Sequence, residues 1–165
     1  MKNVGIDYFD NPPISHEQVA VRWLGISTLL IDDGETQIIS DAFFSRPSFT
    51  DLLLKRRIQP DPLFISTALS DLGVDRLAVI VPVHSHYDHA MDSAVVAKLT
   101  GASVLGSLST AYIAQSFNLP TSQIILANTG KAYQFGKFVV TLIESRHAPL
   151  ASNTEIDGVV AEPFV

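Results

Sequence analysis

Residues 77–81 read LAVIV, an unbroken apolar run that Pro82 closes. A strand exposed on one face alternates apolar and polar residues, whereas a continuous run fits a strand covered on both faces, as in a sheet flanked by helices. This segment points to an α/β class. Directly after it, VPVHSHYDHAMD (Val81 to Asp92) holds three of the chain's 5 histidines within six positions. At the chain's own composition, the pattern H-x-H-x-D-H arises about 0.0003 times by chance in 165 residues. A chemical reason for the cluster is required.

Upstream, Val19 to Leu24 (VAVRWL) and Ser27 to Ile31 (STLLI) have strand composition. Asp32-Asp33-Gly34 before Thr36 to Ile39 marks a hairpin turn and its return strand. Asp41 stands where that third strand ends. Residues 45–66 are weakly periodic and contain three prolines, which predicts a long connection of the kind that carries function. Lys55, Arg56 and Arg57 within it read as a solvated loop, with a substrate-phosphate contact as the sharper alternative.

Downstream, Asp92 or Ser93 is placed to cap a helix over SAVVAKLTG, with Gly101 as its stop. Ser103 to Leu105 is a brief strand. Ser109 or Thr110 opens a second helix through Phe117, closed by Pro120. Gln123 to Leu126 and Lys137 to Ile143 read as strands, with a turn at Asn128-Thr129-Gly130 between them. His147 lies just beyond the last.

No repeat, linker or low-complexity segment divides residues 1–165, which read as one domain or part of one. There is no cysteine, so any metal must be held by imidazole and carboxylate. The formal charge is -6, with basic residues dispersed apart from the triplet, so a nucleic-acid partner is not expected. The opening MKNVGIDYFDNPP has no signal-peptide core, and no apolar stretch approaches the ~20 residues of a membrane span. A cytoplasmic protein without a membrane span is expected.

Neutral imidazoles and carboxylates are the ligands that divalent zinc, iron or manganese accept, and an ion removes the cost of crowding such groups together. His84 and His86 are two residues apart, so in an extended segment both rings project to one side. A catalytic tetrahedral site takes three protein ligands, and His147 or His16 could supply the third. His147 is preferred because it too follows an apolar strand, while His16 stands alone in a polar stretch. Asp88 and His89 are adjacent and point differently, which fits a second ion or a supporting role. Tyr87 and Met91 read as packing residues beside the ligands, with the lining of a substrate pocket as the sharper alternative. Ser85, Ser107 and Ser109 lie in no G-x-S-x-G frame and read as loop or cap residues.

H-x-H-x-D-H at the end of a buried strand, after a meander ending in Asp41 and before the lone His147, resembles the metallo-β-lactamase superfamily. ISTLLIDDGETQIISDAFFS is similar to the opening hairpin of its lactonase and phospholipase-D-like branch. The resemblance implies an αβ/βα four-layer sandwich, of which this chain supplies mainly the first β-sheet with its helices. It further implies that His84, His86 and His147 hold one metal, that Asp88 and His89 contribute to a second, and that Asp41 steadies the site from behind. The cofactor would be one or two divalent ions, zinc first, manganese or iron next. The activity would be hydrolysis of an ester, lactone or phosphodiester by a water that the metal acidifies, with Asp88 as the catalytic carboxylate that orients it and accepts a proton.

The family's later motifs, a bridging acid and a further histidine, have no clear counterpart. After His147 there is no histidine, and Glu155, Asp157 and Glu162 are the only acids. A single domain lacking its C-terminal part is therefore expected, as is a sheet face left open to a missing half or to a copy of the chain in a homo-oligomer. The mean hydropathy of +0.26 and the apolar ending GVVAEPFV agree. The alternative to an enzyme is a metal-binding, catalytically incomplete fragment.

Overall fold

The computed structural model describes residues 18–145, 147 and 159–164. His16, Glu155 and Asp157 lie outside the described residues. Six strands form one sheet in the order β1-β2-β3-β4-β5-β6, with β1 Ala20–Gly25, β2 Thr28–Asp32, β3 Gln37–Ser40, β4 Leu77–Val81, β5 Ser103–Gly106 and β6 Ile124–Leu126. The first three strands pair antiparallel as the expected meander, and β3 through β6 pair parallel. Parallel neighbours require crossovers, which the helices supply: α1 Phe49–Leu53 and α2 Pro62–Asp71 between β3 and β4, α3 Tyr87–Ala90 and α4 Ser93–Thr100 between β4 and β5, and α5 Leu108–Ser116 between β5 and β6. The chain is α/β, as the sequence implies.

The unbroken LAVIV run is explained by two cores. Ile80 faces one side with Leu30, Ile39 and Val104, where Ile65 and Leu69 of α2, Val96 of α4 and Ala114 of α5 pack on them. Val79 and Val81 face the other side with Ile38 and Leu105, under a separate hairpin of β7 Ala132–Phe135 and β8 Phe138–Thr141. Alternation from Val79 to Val81 thus sends successive side chains into different cores, while Leu77, before the register shift against β3, joins the helix-side core. Tyr133, Phe135, Phe138 and Val140 of the hairpin cover this second face, so the expectation of an open sheet face is met only in part. Val21 and Trp23, on the edge strand β1, are exposed.

Three elements differ from expectation. Residues 45–66 are not one irregular connection, because they contain α1 and the start of α2. Asp61 caps α2 by accepting from Phe64 N–H, with Pro62 in the first turn. The helix expected to open at Ser109 or Thr110, α5, starts instead at Leu108 under a Ser107 cap. Strand β7 is also absent from the sequence expectation. It joins β8 through the two-residue turn Gly136-Lys137, in which Gly136 has φ +57.

Candidate metal centre

The site forms at the C-terminal ends of β3 and β4, the edge where open parallel sheets place their ligand sites. Beyond β4 the backbone bends rather than continuing extended, and it enters the single helical turn α3 at Tyr87. The curvature brings His84 and His86 together, with Nε2 of His84 2.9 Å from Nδ1 of His86 and ring centroids 4.5 Å apart. His147, placed after β8, joins them from across the sheet, its ring 5.1 Å from that of His84 and 4.9 Å from that of His86. One ligand atom from each of these three residues lies within 4.8 Å of the others. His84 and His86 are half-buried and His147 is exposed, so the cluster opens to solvent on one side.

Burial, followed by the neighbouring imidazoles His89, His86 and His147, pushes the His84 pKa down, and Asp41 opposes this weakly. A depressed value keeps the ring neutral at pH 7, with a lone pair available to a cation.

His89 lies against this group, its ring 3.9 Å from that of His84. Its Nδ1 faces Asp41 Oδ2 at 3.1 Å and Ser27 Oγ at 3.0 Å, while its Nε2 is 3.6 Å from Asp88 Oδ2. The fully buried Asp41 is fixed from several directions. Its Oδ1 accepts from Val83 N–H at 2.7 Å, its carbonyl accepts from Thr28 Oγ1 at 2.6 Å, and its own N–H donates to Val81 O at 3.3 Å. One carboxylate therefore ties the end of β3 to the chain that carries the histidines.

Asp92 does something the sequence does not announce. Placed as a helix cap by sequence, it makes no side-chain cap bond to α4. Its Oδ2 accepts from the N–H groups of Phe44 and Ser45 at 2.6 and 2.7 Å, and Oδ1 accepts from Ser45 Oγ at 2.8 Å. The loop after Asp41 is thereby clamped to the start of α4. Ser27 was likewise not identifiable, since its contact with His89 joins residues 62 apart. Met91 is buried as a packing residue, and Tyr87 meets Phe43 edge-on at 6.0 Å while remaining partly exposed.

A helix-flanked mixed sheet with three convergent histidines beyond its strand ends defines an α/β protein with a candidate metal site, and the chain is similar to known proteins. A UPF0173 metal-dependent hydrolase of Rhizobium meliloti is 30% identical over 129 residues, covering 78% of this chain and 47% of that protein. Among solved structures, Igni18, a metallo hydrolase from Ignicoccus hospitalis, aligns with 20% identity and a TM-score of 0.43 over 70% of this chain and 42% of that one. The metallo-β-lactamase SMB-1 aligns with 19% identity and a TM-score of 0.49 over 70% of this chain and 45% of that one. No family model matches. The similarity to curated metal-dependent hydrolases, over 78% and 84% of this chain, supports the resemblance to the metallo-β-lactamase superfamily that the histidine motif carries. The chain spans about half the length of the curated relatives it matches.

Proposed function

We propose that this chain carries the metal-holding part of a hydrolase that cleaves an ester, lactone or phosphodiester of a small molecule, with zinc as the ion and manganese or iron as alternatives. The convergence of His84, His86 and His147 carries the reading. Their chemistry fits a divalent cation, since three imidazoles, one of them held neutral by burial, offer borderline-soft nitrogen donors. A divalent ion held there would lower the pKa of a coordinated water toward neutrality and would polarise the oxygen of the scissile group.

The chain's own residues do the rest. His84, His86 and His147 hold the ion. Donation of Nδ1–H by His89 to Asp41 leaves the Nε2 lone pair directed toward Asp88, so these two residues are paired to take a second ion. Asp88, half-buried at the mouth of the cluster, orients the attacking water and accepts its proton. Asp41 and Ser27 hold the His89 ring in place. A cytoplasmic setting and a small-molecule substrate belong to the same reading.

A second reading is favoured by one fact, that the chain spans only about half of its relatives' length. It is a fragment that binds metal without turnover. Metal content per chain, measured by plasma emission after dialysis, together with hydrolysis of bis-p-nitrophenyl phosphate and a simple lactone, separates the two. Two equivalents with turnover abolished by His84→Ala support the hydrolase. One equivalent without turnover supports the fragment. No retained metal overturns both.

A further inference from the structure

Between Ser45 and Asp61 the chain makes a closed excursion, because Asp61 N–H donates to Ser45 Oγ at 2.7 Å and brings its two ends together. The excursion carries α1, which buries none of its residues. Phe49 and Leu53, one helical turn apart on the same face, are 78% and 68% exposed, Leu54 is 60% exposed, and Leu63, just past the return, is 79% exposed. Soluble surfaces scatter such side chains singly, so their concentration on one loop marks a contact surface. Lys55, Arg56 and Arg57 follow at once, all exposed, and they are three of the 11 basic residues in a chain of charge -6. Arg56 pairs with Asp51 at 3.2 Å, while among the described residues Lys55 and Arg57 have no acidic partner. Asp61 is also exposed, but it is engaged at the α2 cap.

Large apolar side chains beside unpaired cations match an anionic bilayer surface, where the apolar groups enter the acyl boundary and the cations meet the headgroups. A nucleic acid would satisfy the cations and leave the apolar groups wet. A second copy of this chain would also cover the apolar groups, and the gel-filtration outcome below separates it from a bilayer. We propose that residues 48–64 form a peripheral docking surface for an anionic lipid bilayer. Ser45, at the neck of the excursion, also bonds Asp92, three residues past His89, so docking would hold the histidine cluster on a short tether from the lipid surface. The proposal does not depend on the hydrolase reading, since it concerns a surface and not the metal.

The test is co-sedimentation of the 165-residue chain with vesicles of phosphatidylcholine alone and of phosphatidylcholine with roughly a third phosphatidylglycerol, at low salt and at about 0.5 M salt. Binding is expected to the anionic vesicles only, and high salt weakens it. Removing each unpaired cation lowers partitioning about fivefold, so Lys55→Gln with Arg57→Gln costs on the order of 25-fold. Phe49→Ser with Leu53→Ser abolishes binding. Because α1 contributes nothing to the core, these variants keep the parent melting temperature, which excludes misfolding as the cause. Equal binding to neutral vesicles, absence of binding, or a dimer in gel filtration that Phe49→Ser dissolves would each overturn the proposal.

Discussion

Oδ2 of Asp41 lies 3.1 Å from Nδ1 of His89, and the residue that makes this contact has its own backbone in the left-handed region at φ +44. Asparagine is among the few side chains that accept that conformation readily. Asp41→Asn therefore keeps the turn and can still accept from Val83 N–H, but it loses the charge that holds the His89 ring. The expected outcome is a folded protein whose metal affinity falls about 10- to 100-fold, measured by competition with a chromophoric chelator. Asp41→Ala also orphans the Val83 N–H, at about 1–3 kcal/mol, and lowers the melting temperature as well.

Asp92 offers a second test, in which charge and hydrogen bonding are separable. Burial pushes its carboxyl above the usual value of 3.8, and the donations from Ser45 and Phe44 only partly oppose this. A carboxyl with a raised folded pKa contributes stability that is fully present below about 3.8 and lost as pH rises through the raised value, because the folded form binds the proton more tightly. Asparagine imitates the protonated state. Denaturant titrations should therefore show the stability of Asp92→Asn gaining on the parent as pH rises from 4 toward neutrality. Asp92→Ala leaves the Phe44 and Ser45 N–H groups without acceptors and should cost about 2–5 kcal/mol at low pH, the deficit narrowing as the parent loses stability with rising pH.

What could be read from sequence divides along physical lines. The histidine motif was legible because its residues are neighbours in the chain and their chemistry is rare in combination. LAVIV was legible because covering both faces of a strand leaves no polar positions in it. Helix α1 carried only a local start signal, the Ser48 cap with Asp51 in the first turn, since a helix that buries nothing has no apolar stripe aimed at a core. Asp61-Pro62 did carry one, a cap residue before a first-turn proline, for α2. Strand β7 shows alternation at Tyr133 and Phe135, but four residues are too few to stand out from a connection. The Ser27 and Asp92 contacts are made between distant segments, and only the assembled sheet brings them together.

The depressed pKa of His84 has a consequence for the metal-free protein. Burial and nearby imidazoles disfavour its charged form, so the unfolded chain binds a proton where the folded one does not. The His84 contribution is intact above the ordinary value of 6.5 and is lost as pH falls from there through the lowered folded value. Melting curves of the chelator-treated protein should shift downward on acidification through that window. The shift should be smaller in His84→Asn. Saturating metal should raise the melting temperature at pH 7 and lose that effect as protons displace it from the imidazoles.

The two-core account of the sheet makes its own demand on the β7–β8 hairpin. Leu105 is fully buried, and it lies on the face that Phe138 and Val140 cover rather than on the face that the helices cover. If the hairpin seals that face in solution, Leu105→Ala opens a cavity and costs about 2–5 kcal/mol, as a truncation in the helix-side core would. Val139, on the same hairpin but 63% exposed, points away from the sheet, so Val139→Ser should change stability by no more than about 0.5 kcal/mol. Urea titrations of both variants provide the comparison. A Leu105→Ala loss no larger than that of Val139→Ser would mean that the hairpin does not shield the sheet. His147, which follows β8, would then lack the support that brings it to His84 and His86.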